Sequence, residues 1–456
     1  LAAITRMATS IGATHRKSLR DRPPARILHP VARQEKQATP LSRIGGAIQL
    51  VDNFRNLTPK QRYTFVACFL GWTLDAFDFF ILIFCVSAIA KTFHATLAAV
   101  LQAQFLTLAL RPVGAFLFGR LADRYGRRPA LMLNIICFSA LELGSAFAPS
   151  LNALLILRAC FGVAMGGEWG VGAALTFETL PARGRGLFSG LLQEGYAAGY
   201  LLAALVYGTL FQYIGWRGMF VVGAAPAFLV IWIRSRVDES PAWIQGRAAR
   251  TPETRVARDV FDYLPSFLFL VVLMFGFNSL SHGTQDLYPT FLQKNRSLST
   301  EMVGTVGVIS AIGALLGGMV FGSWSERIGR RRAIAVAALL AIPVVPLWVF
   351  GSSTAILIVG AFLMQFLVQG AWGIVPAHLN ELSPPAVRAT FPGLAYQVGN
   401  LLASRNQVFQ ANIADARFQG SLAPVLAWTV VIVGTLVVAV TLSGREAKGT
   451  DLSATA

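Results

Sequence analysis

The sequence predicts an all-α integral membrane protein: twelve transmembrane helices arranged as two pseudo-symmetric bundles of six. Three observations carry this expectation. The 456 residues are 55% hydrophobic and only 13% charged; apolar runs of about 20 residues, enough for a helix to cross a bilayer, follow one another along most of the chain; and the chain matches itself at one fixed offset. An average soluble domain carries roughly 25% charged residues, so composition alone excludes an ordinary soluble protein. A disordered chain, a disulfide scaffold and a collagen-like rod are excluded too, because apolar residues dominate, cysteines number four and glycine has no triplet period.

The N-terminal stretch is different in kind. Residues 1–62 hold 12 Lys/Arg against Asp21, Glu35 and Asp52, so +9 of the formal +17 charge lies here. With Pro23, Pro24, Pro30 and Pro40 and no sustained apolar period, it is expected to be a basic, mostly disordered cytoplasmic tail. It lacks the apolar core of a secretory signal. Its Arg-rich, acid-poor composition has the character of an organelle presequence, Met7 offers an alternative start, and residues 1–50 are expected to carry little function.

From Tyr63 onward the apolar runs centre near residues 76, 108, 138, 163, 198, 225, 277, 310, 341, 364, 398 and 432. These are spans 1 to 12, each able to cross roughly 30 Å of hydrocarbon as a helix. Alternating ten-residue strands are missing, which leaves helices as the only way to satisfy backbone amides in lipid. The expected organisation is a first bundle over 63–235, a cytoplasmic linker over 236–262, a second bundle over 263–443 and a cytoplasmic tail over 444–456. One set of alternate loops, with both termini, holds 31 Lys/Arg and the opposite set six. The positive-inside rule then places both termini and the linker in the cytoplasm, with the chain in the cell's inner membrane. The basic excess orients the protein in a lipid bilayer, so nucleic acid is not an expected partner.

Sliding the chain by 203 residues lays Gly119, Asp123, Arg124, Gly126, Arg127 and Arg128 on Gly322, Glu326, Arg327, Gly329, Arg330 and Arg331. The same offset lays Gly167, Trp169 and Gly170 on Gly370, Trp372 and Gly373, and Glu178, Pro181 and Arg185 on Glu381, Pro384 and Arg388. Several matches sharing one offset indicate two six-helix halves. Parallel repeats of this kind form a transporter layout with substrate between the halves near the midplane.

At 119–128 the chain carries G-x-x-x-D-R-x-G-R-R, with Glu326 replacing Asp in the second copy, and Arg158 and Gly162 read R-x-x-x-G. These features resemble the major facilitator superfamily over essentially everything after residue 62. The resemblance implies that Gly119, Asp123, Arg124, Gly126, Arg127, Arg128, Glu326 and Arg327 form gating loops that latch one conformation; a purely topological role for the basic residues is the alternative.

A charged side chain inside a span costs on the order of 3 kcal/mol, so each is a candidate site residue. Asp75 and Asp78 in span 1 are three residues apart and face one direction. Two carboxylates so near in a poorly hydrated place resist ionising together, which suits a proton carrier. Arg158 and Glu168 in span 4 and Glu194 in span 5 extend the proton-coupling set. At the repeat offset Asp75 falls on Asn278 and Glu194 on Gln397, so titratable acids in the first half face amides in the second. The expected division is protons in the first half and substrate in the second, where Asn278, His282, Gln285 and Asp286 share a stripe of about 100° on span 7. On the residues alone, that stripe is equally a structural network and a substrate site.

Residues 278–290 fit N-x-x-[ST]-H-x-[ST]-Q-D-x-x-x-T, which resembles the lactate/pyruvate branch of the sialate:proton symporter family; 74–80 and 396–400 resemble its first and eleventh spans. The resemblance implies symport of a small monocarboxylate with a proton. A carboxylate needs a cation. Arg111 in span 2, eight residues before Gly119 and so about 12 Å from the cytoplasmic end, in the R-P-V-G-A setting of those permeases, is the favoured partner, with Arg158 the competitor and Gln397 a further ligand. Glu142 carries no family role and can neutralise Arg158.

The expected function is therefore secondary active transport by a single chain moving an organic acid anion and a proton by alternating access. Another acid, such as sialate, an aromatic acid or a dicarboxylate, is the nearest alternative, and a non-transporting carboxylate sensor a more distant one. No enzyme activity, cofactor or metal is expected: no nucleophile and base constellation, no P-loop and no Cys/His ligand spacing occurs, and Cys68, Cys85, Cys137 and Cys160 lie in apolar runs.

Overall fold

Span 1 (Pro59–Thr92) starts at Pro59 rather than at 63, because Thr58 and Gln61 cap it reciprocally. Thr58 Oγ1 accepts from the Gln61 N–H at 3.3 Å, Gln61 Oε1 accepts from the Thr58 N–H at 3.0 Å, and Pro59 occupies a position where no N–H is needed. The computed structural model describes residues 54–182, 184–249, 263–450 and 452. The expectation of disorder over most of the N-terminal stretch, Arg183, the second half of the linker and the last residues lie outside the described residues.

Span 2 is Leu97–Tyr125, span 3 Arg127–Ala146, and span 4 Leu151–Met165 continued by Glu168–Thr179. Spans 5 and 6 form one helical stretch, Arg185–Arg236, which turns at Gly215, where φ is +59°. Span 7 is Leu264–Gln285 with Tyr288–Lys294, span 8 Thr300–Ile328, span 9 Arg330–Val349, and span 10 Thr354–Trp372 with Val375–Leu382. Span 11 is broken into Thr390–Ala403 and Asn406–Phe418, and span 12 is Leu422–Ser443. Among the described residues, ten segments are long and apolar enough to cross a membrane. The bend at Gly215 makes one of them two, and the broken, more polar span 11 completes twelve. Among the described residues there is no strand.

The 203-residue repeat reappears in three dimensions. Thr96 and Ser299 cap spans 2 and 8, and Ser150 and Ser353 cap spans 4 and 10, each accepting from the third backbone N–H of its helix. Gly126 and Gly329 both hold positive φ, +116° and +97°, where the loop turns from one helix into the next. A Cβ on Gly114 would collide with the Val163 carbonyl, and one on Gly317 with the equivalent Phe366 carbonyl, so spans 2 and 4, and spans 8 and 10, meet backbone to backbone. The second half packs around Phe277, Trp348 and Trp372, and Trp72 and Trp169 of the first half join that cluster at the centre.

Two segments expected as plain connections are built into the fold. In the linker, Pro241–Ala249 is a helix whose Trp243 indole donates to the Asp123 carbonyl at 3.0 Å. The C-terminal tail folds back so that Leu452 is buried in a first-half cluster. Both segments carry an acid that caps a helix: Glu239 accepts from the Arg127 and Arg128 N–H groups, and Glu446 from those of Arg330 and Arg331.

The two caps are shifted in opposite directions. Burial pushes Glu239 up, only partly offset by its backbone hydrogen bonds. At Glu446 burial acts the same way, but the N–H groups of Lys448, Arg331 and Arg330 outweigh it and hold the carboxyl below its usual range. A lowered acid adds stability above its unfolded pKa that is lost as pH falls through the folded value; a raised acid adds stability at low pH that is lost as pH rises. Glu446→Gln is therefore expected to lower the thermal unfolding midpoint at pH 7, the difference vanishing on acidification, whereas Glu239→Gln leaves it equal or higher. Melting of the purified variants across pH checks the contrast, and equal losses at pH 7 would refute it.

Candidate functional site

At the centre of the first half, Arg111 Nη2 lies 3.4 Å from Asp75 Oδ2, and both side chains are buried. Span 2 delivers the guanidinium because its backbone presses on span 4, where Gly166 leaves room for the Arg111 carbonyl. Arg111 sits 5.9 Å from the Phe79 ring, and its Nε has no hydrogen-bond partner. Glu168, on the second segment of span 4, is within electrostatic reach of both Asp75 and Arg111. It is fully buried, neither of its oxygens has a partner, and its carboxylate presses against Gly71 of span 1. One cation and two acids thus share a buried site, with one long contact between them. Such a guanidinium retains capacity for another carboxylate.

Arg158 is committed elsewhere. Its Nη2 donates to Glu142 Oε2 at 2.7 Å, with both side chains fully buried and the Phe161 ring 3.8 Å from the guanidinium. The structure thus separates the two arginines that the sequence leaves in competition. Asp78 falls in the Arg158 cluster and Asp75 in the Arg111 cluster, although both lie on one helix face. Glu194 stands apart from both, at the break between the two helical segments of span 5, with its carboxylate against Gly318 of span 8.

The stripe on span 7 divides. Asn278 is buried and its amide donates to the Met274 carbonyl of its own helix at 2.8 Å. Gln285 donates to Gln365 of span 10 at 2.8 Å, and Asp286 accepts from Gln407 of span 11 at 2.6 Å. His282 Nδ1 lies 3.1 Å from Asp286 Oδ2, and 38% of its side chain is exposed. Gln285 is exposed and braces span 7 to span 10, and His282 and Asp286 beside it are half-buried. Gln397, buried on span 11, has no partner for either polar atom of its amide. Near it, Trp169 of the first half meets Tyr396 of the second at 4.8 Å between centroids.

The gating residues gather at the basic face, where the halves meet. Asp123 accepts from the Ala389 and Thr390 N–H groups and, at 2.6 Å, from the Thr390 hydroxyl, so the first loop seizes the start of span 11. Glu326 accepts from the Gly186 N–H across the interface. Gly119 packs on the Thr390 backbone, where a Cβ would sit 2.7 Å from Cα. Arg127 binds Glu178 through two hydrogen bonds of 3.0 and 2.9 Å, and Arg330 binds Glu381 through two of 3.0 Å. Across the interface Arg185 reaches Glu381 at 3.4 Å and Arg388 reaches Glu178 at 3.8 Å. These contacts close the basic face.

Arg124 and Arg327 are exposed, and Arg124 lies over the Tyr125 ring. Arg128 reaches the Arg234 carbonyl within its own half. Four latch members, Glu178, Arg185, Glu381 and Arg388, were visible at the repeat offset without an assigned role, because each partner lies far along the chain. The tail joins them: Arg185 donates to the Thr450 carbonyl at 3.0 Å and Arg388 to that of Leu452 at 2.8 Å.

A family model described as Major Facilitator Superfamily matches residues 68–404. The chain is 33% identical to a probable 4-methylmuconolactone transporter of Cupriavidus pinatubonensis, over 77% of this chain and 83% of that one. It is 30% identical to a carboxylic acid transporter protein homolog of Saccharomyces cerevisiae, over 80% of this chain and 63% of that one. It is 28% identical to the sialic acid transporter NanX of Escherichia coli, over 76% and 85%. Among solved structures, the proton:xylose symporter XylE superposes with a TM-score of 0.68 at 18% identity, covering 86% of this chain and 98% of that one, a likeness of fold.

Proposed function

This chain belongs to the Major Facilitator Superfamily, as a multi-pass membrane transporter of organic acids, and we propose that it carries a small monocarboxylate inward together with a proton. The observation that carries this reading is the Arg111–Asp75 pair: one buried guanidinium, held by one carboxylate through one contact of 3.4 Å. The guanidinium has donors to spare for a substrate carboxylate, but its one positive charge does not balance a further ionised acid, so the substrate is taken most cheaply when Asp75 is protonated. Two ionised carboxylates around one buried cation would leave net charge in a low-dielectric site. Proton and substrate therefore enter together. The fit of 278–290 to the lactate/pyruvate permease motif supports a small substrate, with His282 and Asp286 presenting polar groups from the second half.

In this reading the basic face is cytoplasmic, with both termini on that side of the inner membrane, and the structure is the state closed to the cytoplasm. A second reading keeps the mechanism and changes the acid, and the relatives favour it: their printed substrates are a methylmuconolactone, a carboxylic acid and sialic acid.

Purified protein in vesicles decides between them. Lactate or pyruvate added outside is expected to acidify the lumen, and Arg111→Ala to abolish the response while the protein stays folded by its melting profile. Acidification by sialate, benzoate or succinate, but not lactate or pyruvate, selects the second reading. No acidification with any of these acids overturns proton symport.

A further inference from the structure

A ladder of aromatic rings runs between spans 1 and 5, from the centre of the first half towards the face opposite the basic one. Trp72 stacks on Tyr196 at 5.8 Å between centroids, and Tyr196 meets Phe80 at 5.2 Å. Phe80 meets Tyr200 at 4.9 Å, and Tyr200 meets Phe84 at 5.8 Å. Phe84 stacks on Tyr207 at 5.3 Å, and Tyr207 meets Phe211 at 4.5 Å. Every step is within the range over which rings attract one another. From Tyr196 to Phe211 the helix rises about 22 Å, and it keeps helical dihedrals until Gly215.

The span 5 rungs, Tyr196, Tyr200, Tyr207 and Phe211, lie within a stripe of about 60°. Tyr196 packs against the core of the second half and is within electrostatic reach of Tyr396 and Asp286 of that half, and of Arg111. Leu201 and Leu205, each more than half exposed, point about 140–180° away and give the helix an aliphatic face for lipid. The hydroxyls agree with this orientation. Among the described residues none of the Tyr196, Tyr200 and Tyr207 hydroxyls has a hydrogen-bond partner, and a lone hydroxyl is costly in hydrocarbon but not in water. The stripe therefore lines the cleft between the halves, which the latch contacts close at the basic face.

The architecture shared by the two halves does not need the ladder. At the 203-residue offset Phe80, Phe84, Tyr196, Tyr200, Tyr207 and Phe211 fall on Gly283, Leu287, Gly399, Ala403, Gln410 and Ala414, and none of these is aromatic. A wall of rings recognises shape and π-electrons. A flat, unsaturated body gains offset-stacked or edge-to-face contact with each ring, whereas a saturated body of equal size gains only apolar burial. Charge enters at the inner end, where Arg111 is within electrostatic reach of Tyr196 and its Nε has no partner. An acid whose carboxylate points at Arg111 lays its body on Tyr196, Phe80 and Tyr200. The outer rungs repeat the same contact along the way in.

We propose that the ladder is a binding site for flat, unsaturated monocarboxylates such as benzoate, entering from the face opposite the basic one, with the ring on Tyr196, Phe80 and Tyr200 and the carboxylate towards Arg111. The proposal rests on the reading above only for Arg111 as the carboxylate's partner. It holds whether such an acid is carried or blocks the path of a smaller one.

Benzoate and cyclohexanecarboxylate carry the same acid group on a flat and on a puckered ring, and titration calorimetry measures the binding of each to the purified protein. Benzoate is expected to bind about tenfold more tightly, a preference that disappears in Tyr200→Leu and persists in Tyr200→Phe. Apolar burial alone does not favour benzoate, the less apolar of the two. Tyr200 is exposed, so both variants are expected to keep the fold, which melting checks; Phe80→Leu replaces Tyr200→Leu should that variant unfold. Arg111→Ala is expected to weaken both acids alike. Equal binding of the two acids by the parent, binding of neither, or a benzoate preference unchanged in folded Tyr200→Leu overturns the site. Binding is read without transport, so vesicles that acidify with no acid defeat the symport reading and leave this site standing.

Discussion

Asp75→Asn is expected to keep substrate exchange and to lose accumulation driven by a pH gradient, by about 100-fold or more. The asparagine amide copies a protonated carboxyl in shape and charge, so Arg111 is released permanently and a substrate carboxylate meets no competitor. Close charge pairs couple by about 1.5–7 kcal/mol, and about 3 kcal/mol corresponds to roughly a hundredfold. In the proposed symport, that energy ties proton to substrate. Exchange of labelled for unlabelled substrate needs no net proton movement and survives; uphill uptake needs the proton and fails. Arg111→Ala differs in kind. It leaves Asp75 and Glu168 buried without a cation, at a cost of about 3–5 kcal/mol, and it removes the carboxylate anchor, so both exchange and uptake are lost. Pairing it with Asp75→Asn recovers part of that stability, since Glu168 is still left without a cation, and does not restore transport. Undiminished uphill uptake by Asp75→Asn would show that the pair is structural.

The contrast between Arg111 and Arg158 marks where sequence reasoning stops. Span lengths, loop charge and the 203-residue offset are properties of the chain read in order, so the helical architecture was legible throughout. Which acid meets which arginine is settled by how spans 1 to 4 pack. Asp75 and Asp78 share a helix face, yet Arg111 reaches the first at 3.4 Å, whereas the second converges with Glu142 on Gly223. Asn278 shows a similar limit: its angle on span 7 was readable, but its turn onto the Met274 carbonyl is a rotamer choice made by the packing around it. Glu178 and Glu381 were legible as repeat partners but not as latches, because the arginines that grip them lie on other helices.

Gly190→Leu is expected to hold the basic face open and abolish transport. A Cβ at Gly190 would collide with the Gly318 carbonyl, and one at Gly186 with that of Gly322, so spans 5 and 8 touch backbone to backbone across the two halves. Gly170 and Gly393 meet in the same way, with a Cβ on Gly170 placed 2.8 Å from the other's Cα. A rotamer change cannot relieve overlap with a carbonyl, so a leucine there forces the halves apart. About 5.5 kcal/mol takes a two-state equilibrium from 1:99 to 99:1, and backbone overlap of this kind is of that order. The cross-interface ion pairs do not oppose the movement strongly, and the polar contacts it must break are those of Asp123 with Ala389 and Thr390 and of Glu326 with the Gly186 N–H. The pairs that cross the interface, Arg185–Glu381 and Arg388–Glu178, are long at 3.4 and 3.8 Å, whereas Arg127–Glu178 and Arg330–Glu381 are short and lie within one half. When the halves part, each glutamate keeps the arginine of its own half, and no buried acid is stranded. A cysteine at Thr390, beneath Asp123, is then expected to react with a membrane-impermeant thiol reagent from the basic side in Gly190→Leu and not in the parent. Gly208→Leu, where nothing lies within 4 Å of the added Cβ, is the matched control and should transport normally. Protection of the Thr390→Cys thiol in Gly190→Leu would mean that the glycine contact does not set the closed state.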